Sequence, residues 1–372
     1  MEVLEDPRLD RLARVLVEYS LGVGPGDLVR IAGPALAAPL VRAAYRAVLR
    51  VGGHPFTRIE VDGLDELLLR AGSGEQLDFL SPLEREEVER IDCSLGVWGE
   101  YNTRALTGVD PARQARARQA RRPVQERFLE RAGRGELRWC GVQYPTQADA
   151  QEAEMSLAEY ADFVLRACLV DRDDPVAEWG RIAQEQEALV EWLNQVRELR
   201  LTAPGTDLTL GVAGRRWINC CGHENMPDGE VFTGPVEEAT RGRVRFSFPS
   251  IHDGREVEGV ELVFRDGRVE EAHAAKGEKF LHALLDLDEG SRRLGEFSFG
   301  NNYAITRHTR NTLFDEKIGG TVHLALGAAY PETGGENRSA LHWDLVVDLR
   351  REGRVYADGR LVYENGRFLA EG

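Results

Sequence analysis

Lysine is nearly missing from this chain. Only Lys276, Lys279 and Lys317 occur, so almost all of the positive charge is arginine, a bias of genome or habitat rather than a site. A basic excess is missing too: 47 basic residues stand against 63 acidic ones, for a net charge of -16. Duplex nucleic acid is bound through a basic surface, so no nucleic-acid partner is expected. Cysteine is sparse. Cys93, Cys140, Cys168, Cys220 and Cys221 contain no CxxC pair and are odd in number, which argues against a secreted disulfide framework. No stretch approaches the ~20 apolar residues of a membrane span. The N-terminal MEVLEDPRLDRLARVL is acidic and amphipathic, unlike the basic start and apolar centre of a signal peptide. The expectation is a reduced, cytoplasmic protein without a membrane partner.

What is present fits a globular chain of about two domains at ~150 residues each. It has 372 residues, 42% hydrophobic and 30% charged. The first half alternates helix and strand patterns. Residues 8–20 place Leu9, Leu12, Val15, Leu16 and Tyr19 on one helical face. After the turn residues Gly22, Gly24, Pro25 and Gly26, residues 27–32 read as a strand and 36–51 as a helix closed by Gly52 and Gly53. Residues 111–134 carry eight arginines against two glutamates, and a solvated helix is expected there rather than a phosphate patch. Asp174 and Pro175 suit a helix start. Ile182, Leu189, Val190, Leu193 and Val196 then form the face of a linking helix. From about residue 200 the texture becomes short alternating strands, with the hairpin dipeptides Asp266-Gly267, Asp358-Gly359 and Asn365-Gly366 between them. The expected fold is an α/β N-terminal domain over 1–199, with a partly parallel sheet and the linking helix, and a β-rich α+β domain over 200–372.

Seven of the eight histidines lie between positions 223 and 342. In the strand pattern 341–347, His342 and Asp344 share one face while Leu341, Trp343, Leu345 and Val347 share the other. His323 stands opposite Val322, Leu324 and Leu326, and Glu296 opposite Phe297 and Phe299. A polar group in an otherwise apolar strand is costly unless something satisfies it. Metal ligation would do so, as would hydrogen bonds in a core or exposure at a sheet edge. A Pro-Asp-Gly turn delivers Glu230 to the head of a short strand. Two glutamates, two histidines and one aspartate suit zinc, cobalt or manganese, and a shared carboxylate suits a two-metal centre for amide hydrolysis. Cys220 and Cys221 point apart in a strand, against a zinc-thiolate pair. The glycines at 22, 24 and 26 precede a strand, where a dinucleotide fingerprint follows one. His223, His252 and His308 read as ordinary polar histidines.

The segments NMPDGEVFTGP (225–235), DEGSRRLGE (288–296), LFDEKIGGTVHLALGAAYPE (313–332) and LHWD (341–344) resemble the aminopeptidase T and aminopeptidase S family of metallopeptidases, the thermophilic aminopeptidases. LVEYSLGVGPGDLVRIAG (16–33) and DRDDPVAEW (171–179) extend the resemblance over nearly the whole chain. The resemblance implies metal ligands at Glu230, Glu296, His323, His342 and Asp344, holding two divalent ions (zinc, cobalt, manganese or magnesium). It implies a catalytic tyrosine at Tyr330, whose phenol donates to an oxyanion, while the residue reading adds Glu296 as one candidate to relay the proton. It implies removal of N-terminal residues from short peptides by a homodimer. Many members carry paired glutamates before Val-Phe-Thr, where this chain has Gly229 before Glu230. Glu316 and Lys317 match the family, with Glu316 either orienting a ligand or stabilising a turn. The other readings are a metal-dependent hydrolase of another amide or ester, and a non-catalytic metal- or peptide-binding protein.

Overall fold

A computed structural model describes residues 6–252 and 254–369. They divide into two compact units, one running to Gly180 and including Gly222–Pro227, the other Arg181–Cys221 with Asp228 onward. The start of the acidic N-terminal stretch lies outside the described residues.

The first unit opens with α1 (Arg8–Arg14), which continues through a π-helical turn over Val15–Ser20. Leu9, Leu12, Val15 and Leu16 are buried, as the 3.6-residue spacing dictates. Strand β1 (Leu28–Pro34) follows, then α2 (Ala38–Arg50), with a proline in its first turn and Gly52 at φ +84° just past its end. Strands β2 (His54–Glu60), β3 (Cys93–Trp98) and β4 (Arg138–Gln143) complete the main sheet in the order β2-β1-β3-β4, with the two-residue strand Asn225–Met226 beside β4. The sheet expected to be at least partly parallel is parallel throughout. The arginine-rich segment is helix α3 (Pro111–Gly133). Several of its arginines are spent inside the unit: Arg116 on Asp78, Arg127 on Glu89 and Glu130, Arg131 on the carbonyls of Val88 and Ile91. Helix α4 (Leu157–Ala167) starts in a capping box of Ser156 and Glu159. Helix α5 (Pro175–Leu193) begins at the expected Asp174-Pro175 signal, and the boundary between the units falls inside it. No helix among the described residues is long and apolar enough to cross a membrane.

Among the described residues, the second unit has two large antiparallel sheets on one apolar core and a two-stranded antiparallel pair, Ser250–His252 with Arg255–Val257. The larger runs Arg268–His273, Glu261–Arg265, Arg241–Arg245, Thr206–Gly211, Glu198–Ala203, Arg354–Ala357, Arg360–Glu364 and Arg367–Phe368, each beside the next. The smaller holds β5 (Ile218–Cys220), β6 (Glu230–Thr233), β7 (Leu294–Gly300), β8 (Thr321–Gly327) and β9 (His342–Asp348), in the order β9-β8-β7-β6-β5. Leu201, Leu208, Val244 and Leu262 from the larger sheet share a core with Phe297, Phe299, Val322, Leu324, Trp343 and Leu345 from the smaller. The three hairpin dipeptides have positive φ at both residues: +47°/+75°, +48°/+82° and +48°/+80°. That is the mirror-image turn whose twist matches paired strands. An α/β first part and a β-rich second part with antiparallel sheets are therefore both present.

Candidate metal centre

The smaller sheet buries one face in the core and gathers its polar side chains on the other. Registry does the gathering. Glu296 on β7 is aligned with Ala325 on β8 and Asp344 on β9, while His323 on β8 is aligned with Ser298 on β7. Small residues at Ala325, Ser298 and Gly300 leave room for the long side chains to converge. A bulge sharpens the arrangement. Leu294 pairs with Leu326 and Glu296 with Ala325, so Gly295 is an extra residue in β7. Two residues apart in a regular strand, Leu294 and Glu296 would share a face. Here Leu294 joins the core and Glu296 joins the polar cluster.

Both imidazoles are oriented from behind. His323 Nδ1 lies 3.0 Å from the Glu316 carbonyl and His342 Nδ1 lies 2.9 Å from the Ala328 carbonyl. A carbonyl only accepts, so each Nδ1 carries the proton and each Nε2 faces the cluster. His323 Nε2 is 3.2 Å from Glu296 Oε1 and 3.5 Å from Glu230 Oε2. His342 Nε2 is 3.4 Å from Glu296 Oε2 and 3.6 Å from Asp344 Oδ1. The two oxygens of Glu296 thus face different imidazoles. Glu230 accepts from Ser298 Oγ at 2.9 Å and lies 3.4 Å from the fully buried Lys317 ammonium, which also pairs with Glu316. Asp344 Oδ1 is buried and has no hydrogen-bond partner among the described residues.

The charges respond to this crowding. Burial pushes Glu296 up, but the hydrogen bonds from His323 and His342 outweigh it and hold the carboxyl at about 2. Burial raises Asp344 to about 7 and pushes Glu230 up as well. Burial alone would depress both histidines, yet Glu296 and the neighbouring carboxylates raise His323 to about 10 and His342 to about 9. Without a cation, the imidazoles themselves carry the compensating positive charge. Tyr330 lies at the rim, with its ring 5.2 Å from that of His342 and 5.3 Å from that of Phe232. Burial and the surrounding carboxylates push its phenol pKa well up, so it stays protonated.

All five sequence-derived ligand candidates therefore meet in one place, with Tyr330 beside them. Three groups capable of holding a cation arise there: Glu230–Glu296–His323, Glu296–His342–Asp344 and Glu316–His323–Asp344. The pattern of alternation does not mark Glu316, which follows the short helix α6 (Thr312–Asp315). Its signals in the sequence are its place in Asp-Glu-Lys, beside one of only three lysines, and the likeness of that segment to the family. Gly229 sits at φ +117°, where an added Cβ would meet Asn302 at 3.0 Å, so a side chain at this position would be strained. A fourth group, Cys220–Asp228–Glu230, adjoins the cluster, but burial raises the Cys220 thiol pKa and disfavours a thiolate. His308 pairs with Asp315, His252 rests on Trp343, and His223 stacks on Tyr19 in the first unit.

The family described as thermophilic metalloprotease (M29) matches residues 5–368. Aminopeptidase T of Thermus thermophilus is 30% identical, covering 96% of this chain and 95% of its own. Aminopeptidase 2 of Geobacillus stearothermophilus is 28% identical, covering 98% of both. The solved structure of wild-type AmpT from Thermus thermophilus superposes with a TM-score of 0.85 at 28% identity, over 98% of this chain and 99% of that one. A 2,5-dihydroxypyridine dioxygenase from Pseudomonas putida KT2440 reaches a TM-score of 0.65 at 14% identity over 100% and 99%, a likeness of fold alone. Sequence, fold and a carboxylate–imidazole cluster agree: this chain belongs to the thermophilic metalloprotease family, M29.

Proposed function

We propose that this metallopeptidase is an aminopeptidase that removes N-terminal residues from short peptides, using two divalent cations held by Glu230, Glu296, Glu316, His323, His342 and Asp344. One observation carries the reading. Glu296 turns one oxygen to His323 and the other to His342, so two donor triads share a single carboxylate. The residues fit such ions: Asp344 Oδ1 is an orphaned buried acceptor, and each histidine is fixed with Nε2 inward by a carbonyl behind it. Mixed oxygen and imidazole donors suit zinc, cobalt, manganese or magnesium.

Divalent ions bound there would polarise a peptide carbonyl and lower the pKa of water towards neutrality. The chain's own groups supply the rest. Tyr330, protonated and at the rim, is placed to donate to the oxyanion that develops on the scissile carbonyl. Glu296, with one oxygen toward each histidine, suits a ligand shared by two ions, and it is one candidate to relay the proton. Lys317 holds Glu230 and Glu316 in place from beneath. The proposal includes a homodimer, supported by the family resemblance and read directly by sedimentation.

The test is metal content together with release of p-nitroaniline from leucine p-nitroanilide, with and without chelator. Glu296→Gln and His342→Ala are expected to abolish turnover and lower metal occupancy. Tyr330→Phe should lower kcat by ~10²-fold or more with metal retained. Full metal and full rate in Glu296→Gln would overturn the assignment. Bound metal with no cleavage of any aminoacyl amide would favour a binding protein, and cleavage of esters alone another hydrolase.

A further inference from the structure

Tyr330 is 42% exposed, so where its phenol points depends on the backbone beneath it as much as on ring packing. That backbone is tied to the centre. The Tyr330 carbonyl accepts from Thr333 N at 3.0 Å and Thr333 Oγ1 at 2.6 Å, closing a single 3-10 turn over Pro331–Thr333. The Thr333 carbonyl accepts in turn from Arg216 N at 2.9 Å, and the Arg216 carbonyl accepts from Thr233 Oγ1 at 2.8 Å. Thr233 ends β6, the strand that Glu230 begins. A chain of hydrogen bonds thus joins the turn that carries the phenol to the strand that delivers a metal donor.

Two charged side chains close the arrangement, and neither belongs to the donor groups of the centre. Glu237, shortly beyond β6, turns one carboxylate oxygen to Glu336 N at 2.7 Å and the other to the Arg215 guanidinium. The Arg215 and Glu237 side chains are only 10% and 21% exposed, so water screens this pair less than a pair on the surface. A Cβ at Gly334 would stand 3.9 Å from the Arg215 guanidinium, which places the cation over the end of the same turn. The Glu237 carbonyl accepts from Arg293 at 2.9 Å, at the root of β7, so the segment that grips the loop is itself anchored.

We propose that Arg215 and Glu237 are positioning residues, whose pair latches the Pro331–Glu336 loop to the strand of Glu230 and so holds the Tyr330 phenol ready to donate to the oxyanion before a substrate arrives. This inference rests on the role given to Tyr330 in the aminopeptidase reading. A donor set in place beforehand costs no reorganisation during the reaction, and a misplacement of about 1 Å costs ~10²-fold.

Glu237→Ala removes both contacts, while Glu237→Gln keeps an acceptor for Glu336 N and loses the charge. Each is assayed on leucine p-nitroanilide, alone and combined with Tyr330→Phe. With Tyr330 in place, Glu237→Ala is expected to lower kcat about tenfold with KM within about twofold and metal content unchanged, and Glu237→Gln should fall in between. Combined with Tyr330→Phe, the same changes should lower kcat by less than about twofold, because no phenol remains to be placed. An equal loss in both backgrounds marks a merely structural pair and overturns the proposal, as does no loss in either. Loss of metal from Glu237→Ala would assign the pair to the donors and overturn it too. Thermal transitions control for misfolding; where Glu237→Ala does not fold, the same comparison on Glu237→Gln decides. Hydrogen exchange reads the loop without turnover: the amides of Ala329, Thr333 and Gly335 should lose protection in Glu237→Ala while those of β7 and β8 keep theirs. If wild type cleaves no aminoacyl amide, or Tyr330→Phe keeps the full rate, the parent reading fails by itself, and unchanged exchange in Glu237→Ala then overturns the latch separately.

Discussion

Lys317 shows how much a single side chain can carry in this site. Its ammonium is fully buried between Glu316 and Glu230, and their charges lift its pKa well up against the cost of burial. Lys317→Met would leave two buried carboxylates facing each other, and removing one partner of a buried pair costs ~3–5 kcal/mol. The metal-free variant should therefore unfold at markedly lower urea than the metal-free parent, and added divalent ion should recover much of the loss. An unchanged urea midpoint would contradict that role. Asp288 is the counterpart outside the centre. It accepts from Ala340 N, Ser291 N and the hydroxyls of Ser291 and Ser339, which hold it at about 2 against an ordinary 3.8. A depressed carboxyl stabilises the fold above its unfolded pKa and loses that contribution as pH falls through its folded pKa. The parent should thus lose stability between about pH 4 and pH 2 more steeply than Asp288→Asn. Parallel acid titrations of the two proteins, followed by near-ultraviolet circular dichroism, would show whether the slopes differ.

At the level of elements, the centre depends on one irregularity in an otherwise regular sheet. Gly295 is the bulged residue, and a Cβ there would lie 2.2 Å from the Ala328 carbonyl oxygen and 2.4 Å from that of Gly327. Both obstacles are backbone, so the strands must part. Gly295→Ala is expected to cost roughly 1–3 kcal/mol or more and to swing Glu296 off its two histidines. The check is metal content per folded chain together with the urea midpoint; a variant with normal metal and normal stability would show that the bulge tolerates a side chain. This element also shows where reading the sequence stops. Alternation in 321–327 and 341–348 marks His323, His342 and Asp344 because those strands are regular, and three Asx-Gly dipeptides mark hairpins because the turn itself demands positive φ. The bulge escapes, since an extra residue exists only relative to a partner strand. Glu316 escapes as a donor because it follows a four-residue helix, where no periodicity separates one face from another. The π-helical turn at Val15–Ser20 escapes because it buries the same residues an α-helix would.

Over the whole chain, every donor of the centre lies in the second unit, between Glu230 and Asp344, while the first unit has its own parallel sheet. Four carboxylates are packed there against one lysine and two histidines, an arrangement that a cation completes and its removal unbalances. Ions that bind only the folded state stabilise it by mass action, by about 2.7 kcal/mol at a hundred times the dissociation constant. Ligation also requires each histidine to surrender the Nε2 proton it holds in the ion-free cluster, so uptake must release protons and weaken as pH falls. Both consequences are measurable on the intact protein. Calorimetric titration with zinc or cobalt in buffers of different ionisation enthalpy should reveal protons released. Hydrogen exchange after chelation should show amides of β7, β8 and β9 losing protection while those of β1, β3 and β4 keep theirs. Equal loss in both sets would mean that the two units unfold as one cooperative body, and no loss in either would mean that the cluster needs no cation to hold its shape.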